Sequence, residues 1–299
     1  MKFILAYPEL SGTDGDLLDA GPIGETAAAA ERAGFSAFAL TEHPMPGANW
    51  LEHGGHQTLD PFVGLAFAAA ATERLRLLTY LAVVPYRKPF LLAKSASSLD
   101  RLSGGRFILG VGTGYHKTEF HSLGVDFEER NALFDEALDV LPQAWSGKPF
   151  SALGRHFDAR DVVQLPRPTQ DPIPIWIGGN SKLTRRRVAA RAQGWMPMGG
   201  SPELARSTRT PNLQSLDDLR EKIAAMMEEA GPRAAGIDVC FQYEDPTILQ
   251  PTVDVERHRA ALHELEEAGI TWLSVGAHRP TPAEHLEFIQ AFGETYCTS

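Results

Sequence analysis

Strand-like apolar runs and longer helix-like segments alternate along this chain from end to end, the pattern of repeated βαβ units. The apolar runs predict eight strands, at residues 3–7, 37–40, 75–83, 107–111, 175–177, 195–198, 237–242 and 272–275. Helices are predicted between and after them, over GETAAAAERAG, PFVGLAFAAAATE, PFLLAKSASSLDRL, ALFDEALDVLPQAW, KLTRRRVAARAQ, LDDLREKIAAMMEEAG, VERHRAALHELEEAG and PAEHLEFIQAF. Gly34, Gly231 and Gly269 stand where a helix C-cap needs a positive φ, each a few residues ahead of the next strand. Eight βα units in roughly 250 to 300 residues is the size of an α/β (β/α)8 TIM barrel. The stretches 114–131 and 148–171 then read as insertions, one after strand 4 and one before strand 5. A doubly wound sheet produces the same local pattern and is the competing architecture.

Composition narrows the class. The chain has 299 residues, 43% hydrophobic and 22% charged, which suits one domain over residues 1–299 with a full core. The apolar part of MKFILAYPEL ends at Pro8 and Glu9, too short for a signal peptide. Runs such as LLTYLAVV stop far short of the roughly 20 residues that cross a bilayer. Cys240 and Cys297 are too few for a disulfide framework or a cysteine zinc cluster and agree with a reducing compartment. The expectation is a soluble, cytoplasmic protein. A net charge of −10 argues against nucleic acid and anionic membranes as partners and leaves a small organic molecule. The one basic run, Arg185 to Arg187, reads first as a solvated helix face.

In such a barrel the catalytic groups come from strand C-termini and the loops that follow. Strand 2 is followed by Glu42 and His43, a carboxylate and an imidazole able to do proton chemistry. Strand 3 ends in small and apolar groups with one tyrosine, Tyr80, Leu81 and Ala82 among them, which suit the floor beneath a planar ring. After strand 4, Gly110, Gly112 and Gly114 would let backbone approach a ligand, with Tyr115 next. After strand 5, Gly178, Gly179, Asn180 and Ser181 open a helix, so that turn amides, a helix N-terminus and a hydroxyl converge as in a phosphate cradle. Trp50, His53, His56 and Tyr86 are expected around the mouth, an aromatic lining suited to a flat or apolar substrate.

The block VPYRKPFLLAKSASSLDRLSGGRFILGVGTGYHKTEF, with PIPIWIGGNS and GWMP further on, closely resembles the luciferase-like monooxygenase superfamily and within it the deazaflavin-dependent oxidoreductases. The resemblance runs through roughly residues 1 to 200. It implies a luciferase-type barrel with a tricyclic ring over the end of strand 3, where Tyr80, Leu81 and Ala82 would form a bulge carrying a non-prolyl cis peptide. It places Glu42, His43 and Thr118 near the ring and Gly178 to Ser181 around the cofactor phosphate. Trp50, His56 and Tyr115 would line the substrate pocket.

Two positions depart from the pattern. Many deazaflavin relatives carry Asp where Glu42 stands, and relatives that oxidise sugar phosphates carry an acidic Glu where Tyr115 stands, which argues against that substrate. The expected cofactor is coenzyme F420, with Arg185, Arg186 and Arg187 facing its anionic tail; FMN, serving a monooxygenase, is the alternative. Pairing of two copies through helices 2 and 3 follows from the same resemblance. Two rivals carry less. Metal-dependent hydrolysis, suggested by His43, His53, His56, His116 and His121, lacks ligands at strands 1, 5 and 6, which offer Pro8, Gly178 and Pro197. A catalytically idle flavin binder would have no use for the polar pair after strand 2.

Overall fold

The computed structural model describes residues 1–243, 245–276 and 279–297. Eight parallel strands close into a barrel: β1 Lys2–Ala6, β2 Ala37–Leu40, β3 Arg76–Thr79, β4 Phe107–Gly112, β5 Ile175–Gly178, β6 Gly194–Met196, β7 Asp238–Gln242 and β8 Trp272–Val275. Ile4 pairs with Ser274 of β8 on one side and Ala37 of β2 on the other, and Gly110 of β4 pairs with Trp176 of β5, so the ring has no open edge. That closure excludes the doubly wound sheet.

Each strand's period of two sorts its side chains between two cores. Leu5, Phe38, Leu40, Leu77 and Leu109 face outward into the layer shared with the helices. Ile4, Ala37, Ala39, Leu78, Ile108, Trp176 and Trp272 fill the barrel interior. Trp176 and Trp272 meet edge to face at 5.3 Å there. Their bulk is accommodated by small neighbours: a Cβ on Gly194 would lie 2.3 Å from Trp176.

The helices follow their strands in order: α1 Ile23–Arg32, α2 Pro61–Ala71, α3 Pro89–Leu102, α4 Arg130–Trp145, α5 Lys182–Arg191, α6 Leu216–Ala230, α7 Val255–Glu267 and α8 Pro282–Phe292. Asp60, Ser181, Ser215 and Thr281 cap α2, α5, α6 and α8 by accepting main-chain N–H groups of the first turn. Gly34, Gly231 and Gly269 do adopt positive φ past α1, α6 and α7. Among the described residues no helix is long and apolar enough to cross a membrane.

Three local departures matter for the site. The run expected as one strand over 75–83 breaks: β3 stops at Thr79, the Tyr80–Leu81 peptide is cis, and Ala82–Val83 pairs separately with Val111 and Gly112 of β4. Strand 6 ends at Met196 rather than Met198, because Pro197 has no N–H and the Met198 N–H goes to Asn180. The two insertions carry structure of their own, a short helix Lys117–Ser122 in the first and an antiparallel hairpin of Phe150–Gly154 with Phe157–Val162 in the second.

Candidate active site

The break after β3 forms one side of the barrel mouth and is held by side chains from the turn after β2. Thr41 Oγ1 donates to the Tyr80 carbonyl at 2.6 Å. Glu42 is buried; its Oε2 accepts the Val83 N–H at 2.7 Å and its Oε1 ion-pairs with Arg87, which also reaches Asp60 at 2.9 Å. Burial pushes the Glu42 carboxyl up from its ordinary value, against the pull of Arg87. The Leu81 side chain turns toward β4 and β5: a Cβ on Gly112 would come within 2.6 Å of it, and one on Gly178 within 2.3 Å. A Cβ on Gly114 would meet Val83 at 2.6 Å. The glycines expected to admit a ligand at these positions therefore make room first for the chain's own bulge.

His43 stands beside this floor, 8% exposed. Its Nδ1 lies 3.2 Å from Oε2 of Glu119, which also accepts the Tyr86 hydroxyl at 2.7 Å, while Glu119 Oε1 takes the Met45 N–H at 3.3 Å. Burial raises the Glu119 carboxyl, but the hydrogen bonds from His43 and Tyr86 outweigh it and hold it below its ordinary value. An ionised carboxylate only accepts, so the proton between the two sits on Nδ1 of His43. Nε2, the other ring nitrogen, lies 3.3 Å from the Tyr115 hydroxyl. Burial pushes Tyr115 up to about 12 and Tyr86 higher still, so both remain neutral phenols near pH 7.

The rings of Trp50, His56 and His116 surround His43, with centroids 4.6, 5.0 and 6.2 Å away. The structure thus brings His43 together with the three residues predicted to line the pocket, Trp50, His56 and Tyr115. Burial pushes His56 and His116 down, toward the neutral form, and His116 Nδ1 is buried with no hydrogen-bond partner. His53 and His121 stay apart on the surface, His53 bonded to its own helix at Asn49. Among the described residues no group of three or more His, Cys, Asp or Glu could hold a metal.

Glu119 is the residue that sequence reasoning missed. The carboxylate expected beside His43 was Glu42, whose two oxygens are instead taken by Val83 and Arg87. Glu119 lies on the short helix Lys117–Ser122, fixed by fully buried Phe120, which packs edge to face on Tyr86 at 4.9 Å and on Phe127 at 5.0 Å. Thr118, on the same helix, is exposed and faces Gly47 in the loop after β2.

At the end of β5, Gly179 adopts φ +109 and its N–H donates to the Met196 carbonyl, joining the turn to β6. Asn180 is 1% exposed and wholly engaged: Nδ2 donates to the Met198 and Pro211 carbonyls at 2.7 and 2.8 Å, Oδ1 accepts from Met198 N, and its own N–H goes to Thr210 Oγ1. Ser181 Oγ accepts the Thr184 N–H. Asn180, predicted to hold phosphate, is a clasp between loops; what remains for a ligand is the first-turn N–H groups of α5 that Ser181 does not take, which have no partner within a helix.

The arginine run also divides. Arg187 is buried and forks onto Asp135 of α4 at 2.8 Å through two nitrogens, Arg186 is exposed near Glu229, and Arg185 donates to the Asn180 carbonyl. The cations that do gather flank Phe127: Lys117, Arg130 and Arg209 lie 5.0, 3.9 and 5.1 Å from its ring, and Glu128, within 3.9 and 3.8 Å of Lys117 and Arg130, offsets only part of their charge. Arg209 directly precedes Thr210, the residue that accepts the Asn180 N–H, so one of the three cations comes from the loop that meets the glycine turn.

The chain resembles known proteins in sequence and in fold. A protein of Mycobacterium tuberculosis without an assigned function is 32% identical over 266 residues, covering 85% of this chain and 84% of that one. The 4-hydroxyprotoasukamycin monooxygenase of Streptomyces nodosus subsp. asukaensis is 33% identical over 237 residues, 70% of this chain and 62% of that enzyme. Two of the solved structures that share the fold illustrate it. An F420-dependent secondary alcohol dehydrogenase in complex with an F420-acetone adduct superposes with a TM-score of 0.71 at 18% identity, over 99% of this chain and 98% of that one. The oxygenating constituent of 3,6-diketocamphane monooxygenase from Pseudomonas putida, in complex with FMN, superposes with a TM-score of 0.72 at 15% identity, over 99% and 97%. The family model of luciferase-like monooxygenases matches residues 1–244, and this chain belongs to that family.

Proposed function

We propose that the protein is a coenzyme F420-dependent oxidoreductase in which a hydride passes between the deazaflavin ring and a small organic substrate. The deazaflavin, when bound, supplies the hydride chemistry. The protein's own part begins with His43, which takes or gives a proton at Nε2 while Glu119 keeps Nδ1 protonated and the ring oriented. Trp50, His56 and His116 narrow the space around that nitrogen and limit water. Tyr80, Leu81 and Ala82 offer an apolar floor. Beyond the Gly178 to Ser181 turn, the first turn of α5 offers a phosphate the main-chain N–H groups that Ser181 does not take.

The observation that carries the choice of cofactor is the group of Lys117, Arg130 and Arg209 around Phe127, one of them on the loop that meets that turn. FMN ends at its phosphate, whereas coenzyme F420 continues into an anionic tail. A chain of net charge −10 attracts such a tail only where cations gather locally. The second reading, an FMN-dependent monooxygenase inserting one oxygen atom from O2, has its support in the Streptomyces monooxygenase and the FMN-bound Pseudomonas structure.

Titration of the apoprotein with each cofactor, followed by cofactor fluorescence, separates the two. Coenzyme F420 is expected to bind more tightly than FMN. Changing Lys117, Arg130 and Arg209 together to Gln should weaken coenzyme F420 by about tenfold or more, at roughly half to one kcal/mol per screened surface charge, and FMN by much less. Tighter FMN binding, or a triple variant that leaves coenzyme F420 unaffected, makes the monooxygenase the better reading.

A further inference from the structure

Away from His43, the C-terminal ends of β6, β7 and β8 border a cavity of about 280 Å3. Leu204, Ile248 and Val275 give it apolar walls, and Gln242, Tyr243, Asp245 and Ser274 add polar groups to its lining. The volume is at the low end for ligand pockets, so the occupant is small.

Tyr243 is tied into a chain of hydrogen bonds whose protons can be placed. Asp245 accepts the Thr247 hydroxyl at 2.8 Å and the Thr247 N–H at 2.9 Å, and it pairs with Arg257. Arg257 Nη2 donates to Thr247 Oγ1 at 2.6 Å. The hydrogen bonds from Arg257 and Thr247 hold the Asp245 carboxyl well below its ordinary range, so it is ionised and takes the only hydroxyl proton Thr247 has. Thr247 Oγ1 also lies 3.0 Å from Nε2 of His258, and the hydrogen in that contact must belong to His258. The 3.4 Å approach of Arg257 Nη2 to the same nitrogen is too long to compete. His258 is fully buried, and burial pushes it toward the neutral form, so with Nε2 protonated its Nδ1 is bare. The Tyr243 hydroxyl, 2.8 Å from Nδ1, therefore spends its proton on His258. Its oxygen retains only lone pairs.

We propose that this cavity holds the body of the substrate and that Tyr243, fixed by His258 as an acceptor, selects apolar molecules carrying one hydrogen-bond donor, an alcohol or an amine N–H. The inference deepens the oxidoreductase reading and rests on it for the word substrate; the binding preference itself needs no cofactor.

Cyclohexanol, which donates, and cyclohexanone, which only accepts, are suitable probes for ligand-observed NMR titration of the cofactor-free chain. One hydrogen bond should favour the alcohol by about five- to tenfold. Tyr243→Phe should erase that preference and leave cyclohexanone binding within about twofold. Leu204→Trp, which fills the cavity, should remove binding of both probes, and thermal melts verify that each variant is folded. Equal binding of the two probes by the unmodified chain, a preference that survives in Tyr243→Phe, or binding that survives Leu204→Trp overturns the proposal. Such a result leaves the cofactor reading untouched. Failure to bind coenzyme F420, conversely, leaves the alcohol preference measurable.

Discussion

The turn after β2 brings Glu42 to the barrel mouth, and the insertion after β4 brings Glu119. Both carboxylates are buried, but they face different company. Glu42 is met by a main-chain N–H and a guanidinium, groups whose protonation does not change near neutral pH, so it can only fix the position of Val83 and Arg87. Glu119 also takes a main-chain N–H, from Met45, but it is met besides by an imidazole and a phenol, and its charge decides which nitrogen of His43 carries hydrogen. Their titrations diverge accordingly. Burial dominates at Glu42 and raises it, whereas hydrogen bonds to His43 and Tyr86 overcome burial at Glu119 and lower it. Burial alone does not assign a carboxylate its role; the kind of donor it faces does.

The largest expected effect lies on the Glu119 side. His43→Ala should lower kcat by roughly a hundredfold or more and leave cofactor affinity within a few fold, as loss of a general acid or base does. Glu119→Gln should lower kcat by about tenfold or more with little change in KM, and it should displace the pH–rate profile, because an amide no longer dictates the Nδ1–H tautomer of His43. A profile that stays in place while the protein merely loses stability would reduce Glu119 to a packing residue and erase the contrast with Glu42.

An intermediate effect, of another kind, belongs to Glu42. Glu42→Gln should cost about 1–3 kcal/mol in urea unfolding, since it weakens a buried ion pair, and should leave the kcat of the folded enzyme within several fold. The cost stays below the roughly 3–5 kcal/mol of a stranded buried charge, because Arg87 keeps Asp60 as a second partner. If Glu42→Gln instead abolished turnover without loss of stability, Glu42 would share the chemistry that the contrast denies it.

Much of this was legible in the sequence, and the remainder was hidden for identifiable reasons. The eight strands and the helices follow from periodicity, and the irregular peptide at Tyr80–Leu81 follows from the resemblance to the luciferase-like family. The role of Glu119 does not, because it is made by a contact 76 residues away in the chain, from a helix of six residues too short to display a buried face. Asn180 reads as a ligand contact because its partners, the Met198 and Pro211 carbonyls, are main-chain atoms with no signature of their own. The division of Arg185 to Arg187 was available beforehand: consecutive helical residues point about 100° apart, so three in a row cannot face one ligand together. The Lys117, Arg130 and Arg209 group comes from three separate segments that only the closed barrel assembles.

The smallest expected effect is the pH dependence of stability, and it tests the contrast by sign. The ordinary value for both carboxyls is 4.5, taken as that of the unfolded chain. Glu119 is lowered in the folded protein, so its contribution is complete above 4.5 and is lost as pH falls through its folded value. Glu42 is raised, so its contribution is complete below 4.5 and is lost as pH rises through its folded value. One group changes the slope by at most about 1.4 kcal/mol per pH unit, and here the two act in adjacent windows with opposite signs. In urea unfolding followed between about pH 3 and 7, Glu119→Gln should flatten the acid side of the stability profile and leave the region above 4.5 unchanged. Glu42→Gln should do the reverse, removing a shallow decline above 4.5 that persists in the unmodified chain. Were both variants to flatten the same side, the two carboxylates would titrate alike, and the distinction between an orienting acid and a bracing one would have to come from kinetics alone.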